Sequence, residues 1–268
     1  MKTYKNLYPK LCSLNNLRLA FEKARKGKSN HLNVKKFEEN LEEELKKLKK
    51  ELETFTYKPK PLKKFIIRDP KTRTIHASDF RDRVVHHTIV NILEPIFDRI
   101  FIHDSYANRI NKGTLAAIKR FDKFKRKVSK NGQLVNNNYN NKNLIKGYAL
   151  KADIRHYFET VDHDILLEIL GEKIKDNNIL KLTKIILSNY STGGGRWQKG
   201  MPLGNMTSQF FANVYLNDLD YFIKHKLKIK YYLRYVDDFI ILHENKEELK
   251  IYKDKINKYL KNLKLGLH

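Results

Sequence analysis

The chain has 268 residues, and its 55 Lys and Arg against 30 Asp and Glu give a formal net charge of +25. This excess predicts a polyanionic partner, nucleic acid ahead of an anionic membrane surface, although a coding bias toward Lys and Asn would give the same composition. The single cysteine excludes an internal disulfide and a cysteine-based zinc cluster, and the absence of a long apolar stretch or signal-peptide core predicts a cytoplasmic protein without a membrane span.

The first part of the chain is predicted to be mainly helical. Charged helical periodicity covers residues 14–56 and indicates two helices, the second running from Val34 to about Phe55. The prolines of Tyr57–Pro61 predict a stiff linker. Apolar and β-branched residues in Phe65–Ala77 then predict a hairpin of two short strands around an Asp-Pro-Lys turn.

Two helices and a loop are predicted next. Periodicity from Phe80 through Phe97 indicates a helix, and the residues expected on its polar side are Arg81, Asp82, Arg83 and His86. A basic helix is predicted from Gly113 to about Val128. The Asn-rich stretch from Asn131 to Asn143 has no apolar periodicity and is predicted to be a flexible surface loop.

The remainder of the chain alternates strands and helices. Tyr148–Ile154 reads as a strand, and a helix capped by Asp162 follows it. Further helices are predicted over 178–190, from Gly204 to about Leu227 and from Lys246 to about Leu263, with a hairpin over 231–242. The order predicts an α+β fold in which a mostly antiparallel sheet is backed by helices.

Two adjacent aspartates, Asp237 and Asp238, lie at the turn of this otherwise apolar hairpin. Like charges side by side repel each other unless a multivalent cation offsets them, so the pair indicates a divalent metal site. A third carboxylate is expected from another strand, and Asp153 at the end of the 148–154 strand is the best candidate. A helix cap or an ordinary strand end is the alternative reading of Asp153.

Three ordered motifs carry a family resemblance: Asp153-Ile-Arg-His-Tyr-Phe, Gly204-Asn-Met-Thr-Ser-Gln and Tyr235-Val-Asp-Asp. Together they resemble bacterial reverse transcriptases related to group II intron enzymes, and the similarity extends from about residue 14 to the end of the chain. It implies a right-hand polymerase fold with a basic helical extension (1–60), fingers (61–148) and a palm (149–268). It also implies that the thumb falls outside this sequence.

Within that family the chain is most similar to the enzymes of diversity-generating retroelements. Leu203 precedes the glycine of the second motif and Gln209 follows its serine, where most reverse transcriptases carry Gln and Pro. In the family the aliphatic variant accompanies error-prone copying of template adenines. This is chemically reasonable, because replacing an amide by Leu203 removes one polar constraint on the nascent base pair.

The resemblance also implies residue roles. Asp153 and Asp237 would ligate two Mg²⁺ ions with the carbonyl of Ile154, and Asp238 would support the site. Phe158 would lie under the incoming sugar and exclude a 2′-hydroxyl. The other residues expected to bind the nucleotide are Arg68, Lys71 and Arg73 near the triphosphate, and Leu203, Gly204 and Gln209 near the base pair. Arg234 and Tyr235 would hold the hairpin or touch the primer end.

The function implied is RNA-directed DNA synthesis from deoxynucleoside triphosphates, on an RNA template, from a DNA or RNA primer. The resemblance further implies a small basic helical accessory protein. Three alternatives stay open: a group II intron-like reverse transcriptase or maturase, a non-catalytic nucleic-acid-binding protein with a polymerase-like fold, and an RNA polymerase or primase-like palm. An intact set of three aspartates disfavours the second, and Phe158 disfavours the third.

Overall fold

The structure is a computed structural model that describes residues 2–68, 71–137, 142–193 and 198–268. The chain forms two units, each assembled from two separate stretches. The first unit contains Met1–Ile100 and Phe158–Tyr215, and the second contains Phe101–Tyr157 and Leu216–His268. The division into an extension, fingers and palm remains a prediction.

The helices are, in chain order, α1 (Tyr8–Leu11), α2 (Leu14–Arg25), α3 (Leu32–Glu39), α4 (Leu41–Glu53), α5 (Phe80–Phe97), α6 (Thr114–Val128), α7 (Tyr157–Thr160), α8 (His163–Lys173), α9 (Asn177–Ser188), α10 (Met206–Tyr221) and α11 (Lys246–Leu260). A π-helical turn (Phe222–Lys226) extends α10, and a 3₁₀ turn (Lys261–Leu263) follows α11. Across the described ranges, no helix combines the length and the apolar character needed to cross a bilayer.

The strands are β1 (Lys63–Arg68), β2 (Thr72–Ala77), β3 (Leu134–Asn137), β4 (Lys142–Ile145), β5 (Tyr148–Ala152), β6 (Tyr232–Tyr235) and β7 (Asp238–His243). β1 and β2 form an antiparallel ribbon, as the sequence predicts. The Asp69 and Pro70 of its predicted turn lie outside the described residues.

Helix α5 is the centre of the first unit, where α1, α2 and α3 pack against it. The side chain of Asp79 accepts a hydrogen bond from the Arg81 N–H and caps its first turn. The predicted bounds of α5 are confirmed, but the predicted polar side is wrong in part. Asp82 is buried, where its carboxylate accepts hydrogen bonds from the Tyr57 hydroxyl and the Lys60 N–H.

His86 was also predicted on the polar side of α5, and this prediction is wrong. Its ring is buried, and its Nδ1 lies 3.3 Å from the hydroxyl of Thr207. Burial lowers the pKa of His86 to about 3, because a charged imidazolium would have to leave water. The residue therefore belongs to the interior and not to the surface that its polar character predicted.

The helix predicted from Val34 to about Phe55 is two helices, α3 and α4. They are separated at Asn40, whose φ of −118° and ψ of 33° depart from helical values. Three glutamates, Glu42 to Glu44, then occupy the first turn of α4, where negative charge offsets the positive end of the helix dipole. The position of these glutamates therefore favours the start of a new helix at Leu41, which hydrophobic periodicity alone does not reveal.

The second unit is built on an antiparallel sheet with the strand order β5-β7-β6. Helix α11 packs on β5 and β7, and α6 packs on β6 and β7. The core between α6 and the sheet is formed by Tyr106, Ala117, Phe124, Val128, Leu233 and Leu242. This arrangement confirms the prediction of an antiparallel sheet backed by helices.

The prediction of a surface loop over 131–143 is wrong in part, because two short strands lie within or next to this stretch. β3 and β4 pair in antiparallel register, with Leu134 opposite Ile145 and Asn137 opposite Lys142. Asparagine is unfavourable in strands, but a two-stranded ribbon is held by main-chain hydrogen bonds that any residue can make. Residues 138–141 of the predicted loop lie outside the described residues.

Gly147 precedes β5 and provides a test of this sheet. Its φ is +124°, and a Cβ added there would lie 2.9 Å from Cγ1 of Val128. We expect Gly147→Ala to lower the free energy of unfolding by roughly 1–3 kcal/mol, because alanine both clashes and strains the backbone. Urea denaturation monitored by circular dichroism measures the change.

Gly266→Ala is the matched control for this substitution. Apart from its two chain neighbours, no heavy atom of the described residues lies within 4 Å of a Cβ added at Gly266. The free energy of unfolding of Gly266→Ala should therefore stay within about 0.5 kcal/mol of wild type. Equal stability of the two variants would contradict the close packing of residue 147 against α6.

Candidate metal centre

The turn between β6 and β7 is a two-residue hairpin loop. Tyr235 pairs with Asp238, which leaves Val236 and Asp237 as the loop residues. Val236 has a φ of +57°. Both primed turn types that fit such a hairpin need a positive φ at this first position, and glycine or asparagine normally supplies it. A β-branched residue there costs of order 1–3 kcal/mol, so the surrounding structure must hold the turn in place.

The sheet register brings a third carboxylate to this turn. β5 pairs with β7 so that Ala152 lies opposite Phe239, and Asp153 is the next residue along. One carboxylate oxygen from each of Asp153, Asp237 and Asp238 lies within 4.8 Å of the other two. The strand pattern predicts this convergence of Asp153 with the hairpin turn, and the structure places the side chains accordingly.

The electrostatics of the cluster show the cost of gathering these groups. The pKa of Asp237 is raised to about 6, first by burial and further by the negative charges of Asp153 and Asp238. The Asp237 N–H and the Arg234 guanidinium oppose that rise. Lys151 reaches Asp238 at 4.0 Å, but both side chains are exposed and such a pair contributes little.

The donor set fits a hard divalent cation. Carboxylate oxygens at this spacing are the ligands that Mg²⁺ and Mn²⁺ prefer, and a cation would offset the mutual repulsion of the three groups. No histidine or cysteine is part of the cluster among the described residues. The set therefore favours oxygen-ligated ions over zinc.

Arg234 lies beneath the turn and not at a surface. Its side chain is 0% exposed and forms an ion pair with Asp220 of α10, also 0% exposed, at 2.6 Å. Of the two roles predicted for Arg234, the structure supports holding the hairpin, because a fully buried group does not reach a primer. Tyr235, by contrast, is exposed, and its hydroxyl lies 3.1 Å from that of Thr114.

Sequence analysis did not identify Asp220 as part of this region. The signal available was a carboxylate in the apolar Val-Tyr-Leu-Asn-Asp-Leu-Asp stretch of α10, where an inward-facing charge requires a partner. The partner lies 14 residues further along the chain, and periodicity does not reveal it.

Residues 266–268 lie alongside Asp153 and Ile154, a contact that sequence analysis did not predict. Ile154 forms an antiparallel bridge with Leu267. The Arg155 N–H donates to the carbonyl of Gly266, and the His268 N–H donates to the carbonyl of Asp153 at 2.9 Å. The main chain on both sides of Ile154 is therefore held at this edge.

The basic residues predicted to bind the triphosphate lie on the β1–β2 ribbon of the first unit. Arg68, Lys71 and Arg73 are all exposed. Arg68 is opposite Thr72, and Arg73 is opposite Ile67. Because directly paired residues point to the same face and neighbours alternate, Arg68 and Arg73 extend from opposite faces of the ribbon. Arg68 and Arg73 were the two preferred candidates among these basic residues, and they do not lie on one face of the ribbon.

Leu203 and Gly204 lie against the same ribbon. The His76 N–H of β2 donates to the carbonyl of Leu203 at 3.3 Å. Gly204 has a φ of +109°, and a Cβ there would lie 3.0 Å from Cγ2 of Ile75. Only glycine combines this positive φ with so close an approach to Ile75 without strain, which explains why residue 204 is a glycine.

Phe158 and Gln209 are half-buried in the first unit. Phe158 is on α7, and its carbonyl accepts a hydrogen bond from the Met201 N–H at 2.6 Å. Gln209 is in the first turn of α10, where its N–H donates to the carbonyl of Asn205. The three carboxylates and Ile154 belong to the second unit, whereas Phe158 and Gln209 belong to the first.

The raised pKa of Asp237 generates a prediction about stability. A carboxylate whose folded pKa of about 6 exceeds its unfolded value destabilises the protein as pH rises from about 4 to 6, since the unfolded state then binds fewer protons. Without divalent ions at pH 7 we expect Asp237→Asn to raise the free energy of unfolding by roughly 1–2 kcal/mol, after a discount for partial exposure.

A divalent metal ion should stabilise wild type relative to Asp237→Asn. Millimolar Mn²⁺ should raise the melting temperature of wild type and leave Asp237→Asn unchanged, because the ion binds the ionised carboxylates of the folded state. Thermal melts with and without Mn²⁺ measure both effects. Asp254→Asn, which removes an exposed carboxylate on α11, serves as the control and should behave as wild type. Equal Mn²⁺ stabilisation of both variants would contradict the metal centre.

Comparison with known proteins agrees with this geometry. Residues 58–268 match the family described as reverse transcriptase (RNA-dependent DNA polymerase). The chain is 28% identical over 199 residues to the group II intron-encoded protein LtrA of Lactococcus lactis, an alignment that covers 71% of this chain and 30% of LtrA.

Two further relatives show the same pattern. The putative COX1/OXI3 intron 2 protein of Saccharomyces cerevisiae is 24% identical over 192 residues, covering 69% of this chain and 20% of that protein. Protein YkfC of Escherichia coli is 25% identical over 188 residues, covering 68% of this chain and 46% of YkfC. The chain thus spans less than half the length of these relatives. The family match covers most of the sequence and includes all three clustered carboxylates, and the chain therefore belongs to the reverse transcriptase (RNA-dependent DNA polymerase) family.

Proposed function

We propose that this chain is an RNA-directed DNA polymerase that adds deoxynucleotides to the 3′-hydroxyl of a DNA or RNA primer on an RNA template. The observation that carries the proposal is the convergence of Asp153, Asp237 and Asp238 in a chain of the reverse transcriptase family. The net charge of +25 supports a nucleic-acid partner, because an excess of Lys and Arg attracts the phosphate backbone.

Asp153 and Asp237 would hold two Mg²⁺ ions together with the carbonyl of Ile154, and Asp238 would support the site. When bound, such ions lower the pKa of the attacking hydroxyl and offset the charge that develops on the transferring phosphate. The bridge to Leu267 uses the carbonyl of Asp153 and the N–H of Arg155, so the carbonyl of Ile154 is turned toward the other edge of the strand.

The protein's own contribution is placement. β5 and the β6–β7 hairpin hold the carboxylates together before substrate binds, so little reorganisation is needed during the reaction. In the first unit, Phe158 would exclude the 2′-hydroxyl of a ribonucleotide, and Arg68, Lys71 and Arg73 would supply positive charge to the triphosphate. Leu203, Gly204 and Gln209 would contact the nascent base pair.

Primer extension on an RNA template tests this proposal. We expect the full-length protein to extend a primer with deoxynucleotides in Mg²⁺ or Mn²⁺. Asp153→Asn or Asp237→Asn should reduce the rate by roughly 100-fold or more, because each removes a charged ligand. Asp254→Asn is again the control and should keep wild-type activity. Equal extension by wild type and Asp237→Asn would exclude the catalytic assignment.

For the biological role we propose the error-prone enzyme of a diversity-generating retroelement, working with a small basic helical accessory protein. Leu203 and Gln209 support this assignment, since an aliphatic side chain offers the nascent pair no hydrogen bond. The second candidate is a group II intron-like reverse transcriptase, which the similarity to the intron-encoded protein LtrA favours.

Fidelity separates these two candidates. If Leu203 relaxes discrimination, Leu203→Gln should lower misincorporation opposite template adenine by roughly tenfold, the value of one regained hydrogen bond. Sequencing of the cDNA products measures the error rate. Leu19→Gln, the same substitution at a half-exposed position of α2, should leave it unchanged. Accurate copying of template adenines by wild type would count against the retroelement role and favour the intron-like one.

A further inference from the structure

The loop carbonyl of Val236 is bonded to a side chain from the strand that precedes it. Nη1 of Arg234 donates to this carbonyl at 2.7 Å. The peptide bond that follows is rigid and planar, with its carbonyl and N–H on opposite sides. The N–H of that peptide belongs to Asp237 and interacts with its own carboxylate. Arg234 thus holds the carbonyl of the peptide between Val236 and Asp237, and the N–H of the same peptide interacts with the Asp237 carboxylate.

The guanidinium group is itself fixed by a buried carboxylate. Nε and Nη2 of Arg234 donate to Oδ1 and Oδ2 of Asp220 at 2.8 and 2.6 Å, a two-pronged arrangement that sets both distance and plane. The Tyr232 hydroxyl donates to Oδ1 of Asp220 at 2.6 Å, and Nη2 of Arg234 also lies 3.3 Å from the hydroxyl of Ser105. The anchor therefore belongs to a fully buried polar network.

The main chain of Arg234 is held as well. Its N–H donates to the carbonyl of Asp104 at 2.9 Å, and its carbonyl accepts from the N–H of Tyr106 at 3.0 Å. The segment around Ser105 thus borders β6 on the edge away from β7. Hydrogen bonds therefore fix both the main chain of Arg234 and its guanidinium group, independently of the contact with the loop.

A stabilising role alone accounts poorly for this arrangement. A buried ion pair is expensive to desolvate, and apolar residues of similar volume often stabilise a protein as well or better. The contact that a purely stabilising pair does not need is the one from Nη1 to the loop. That contact lies one residue before Asp237, at a valine held in a conformation unfavourable for its side chain.

We propose that Arg234, anchored by Asp220, is a positioning residue for the metal centre: it fixes the peptide between Val236 and Asp237 so that the Asp237 carboxylate faces Asp153. The inference rests on the metal-binding role in the proposed function. It assigns to Arg234 an effect on metal affinity that acts through the loop, without contact to metal, nucleotide or primer.

The test is Mn²⁺ affinity, measured by electron paramagnetic resonance on Arg234→Lys. Lysine keeps the buried charge but cannot bond Asp220 with two parallel donors and reach the Val236 carbonyl as well. We expect the Kd for Mn²⁺ to rise about tenfold or more, as when a group that orients a metal ligand is lost. Arg81→Lys is the matched control, since Arg81 is also largely buried and ion-paired, to Glu51, but lies in the first unit. Its Kd should stay within about twofold of wild type.

A rescue experiment separates positioning from stability. Val236→Gly makes a positive φ favourable, so the turn then depends less on the contact from Arg234. The double variant Arg234→Lys/Val236→Gly should recover Mn²⁺ affinity to within about threefold of wild type. Loss of a merely stabilising ion pair would not be repaired by a glycine in the loop.

The outcomes decide between the two roles. Folded Arg234→Lys with wild-type Mn²⁺ affinity would overturn the proposal, and so would a weakened variant that Val236→Gly does not rescue. If Arg234→Lys does not fold, Asp220→Asn carries the same two expectations, because it leaves Arg234 in place and weakens only its anchor. Failed primer extension with normal Mn²⁺ binding would bear on the polymerase assignment alone, whereas wild type that binds no Mn²⁺ would overturn both.

Discussion

The mutual repulsion of three carboxylates is the constraint on which the second unit depends. At an effective dielectric constant of about 20, two unit charges 4.8 Å apart repel by about 3.5 kcal/mol, and the three pairs of the cluster all lie within that distance. Main-chain pairing of β5 with β7 and of β7 with β6 opposes that repulsion, because the carboxylates cannot separate unless the register changes. The pKa of Asp237 is raised first by burial and further by the charges of Asp153 and Asp238, so the repulsion persists in the folded protein.

The same constraint connects the site with the overall charge. Acidic residues are outnumbered by basic ones almost two to one, yet three of them meet at one place. A basic surface attracts a polyanion, whereas a bare acidic cluster would repel it. Bound divalent cations would reduce this conflict, because each would cancel two of the negative charges that repel a phosphate. Binding of nucleic acid and binding of metal should therefore favour each other.

The parts of the structure that were predictable follow from local chemistry. The bounds of α5 follow from its cap and periodicity, and the approach of Asp153 to Asp237 follows from placing a strand end beside a hairpin turn. Burial of Asp82 and His86 could not be foreseen, because their partners Tyr57 and Thr207 come from distant parts of the sequence. The β3–β4 ribbon was missed since main-chain pairing, and not side-chain pattern, defines it.

The segment from Gly266 to His268 has a practical consequence for recombinant work. Its main-chain groups bond on either side of Ile154, so trimming these residues would remove an edge partner from the strand end that carries Asp153. Asp153 would then keep its neighbours on β7 but lose the main-chain partner of its own carbonyl.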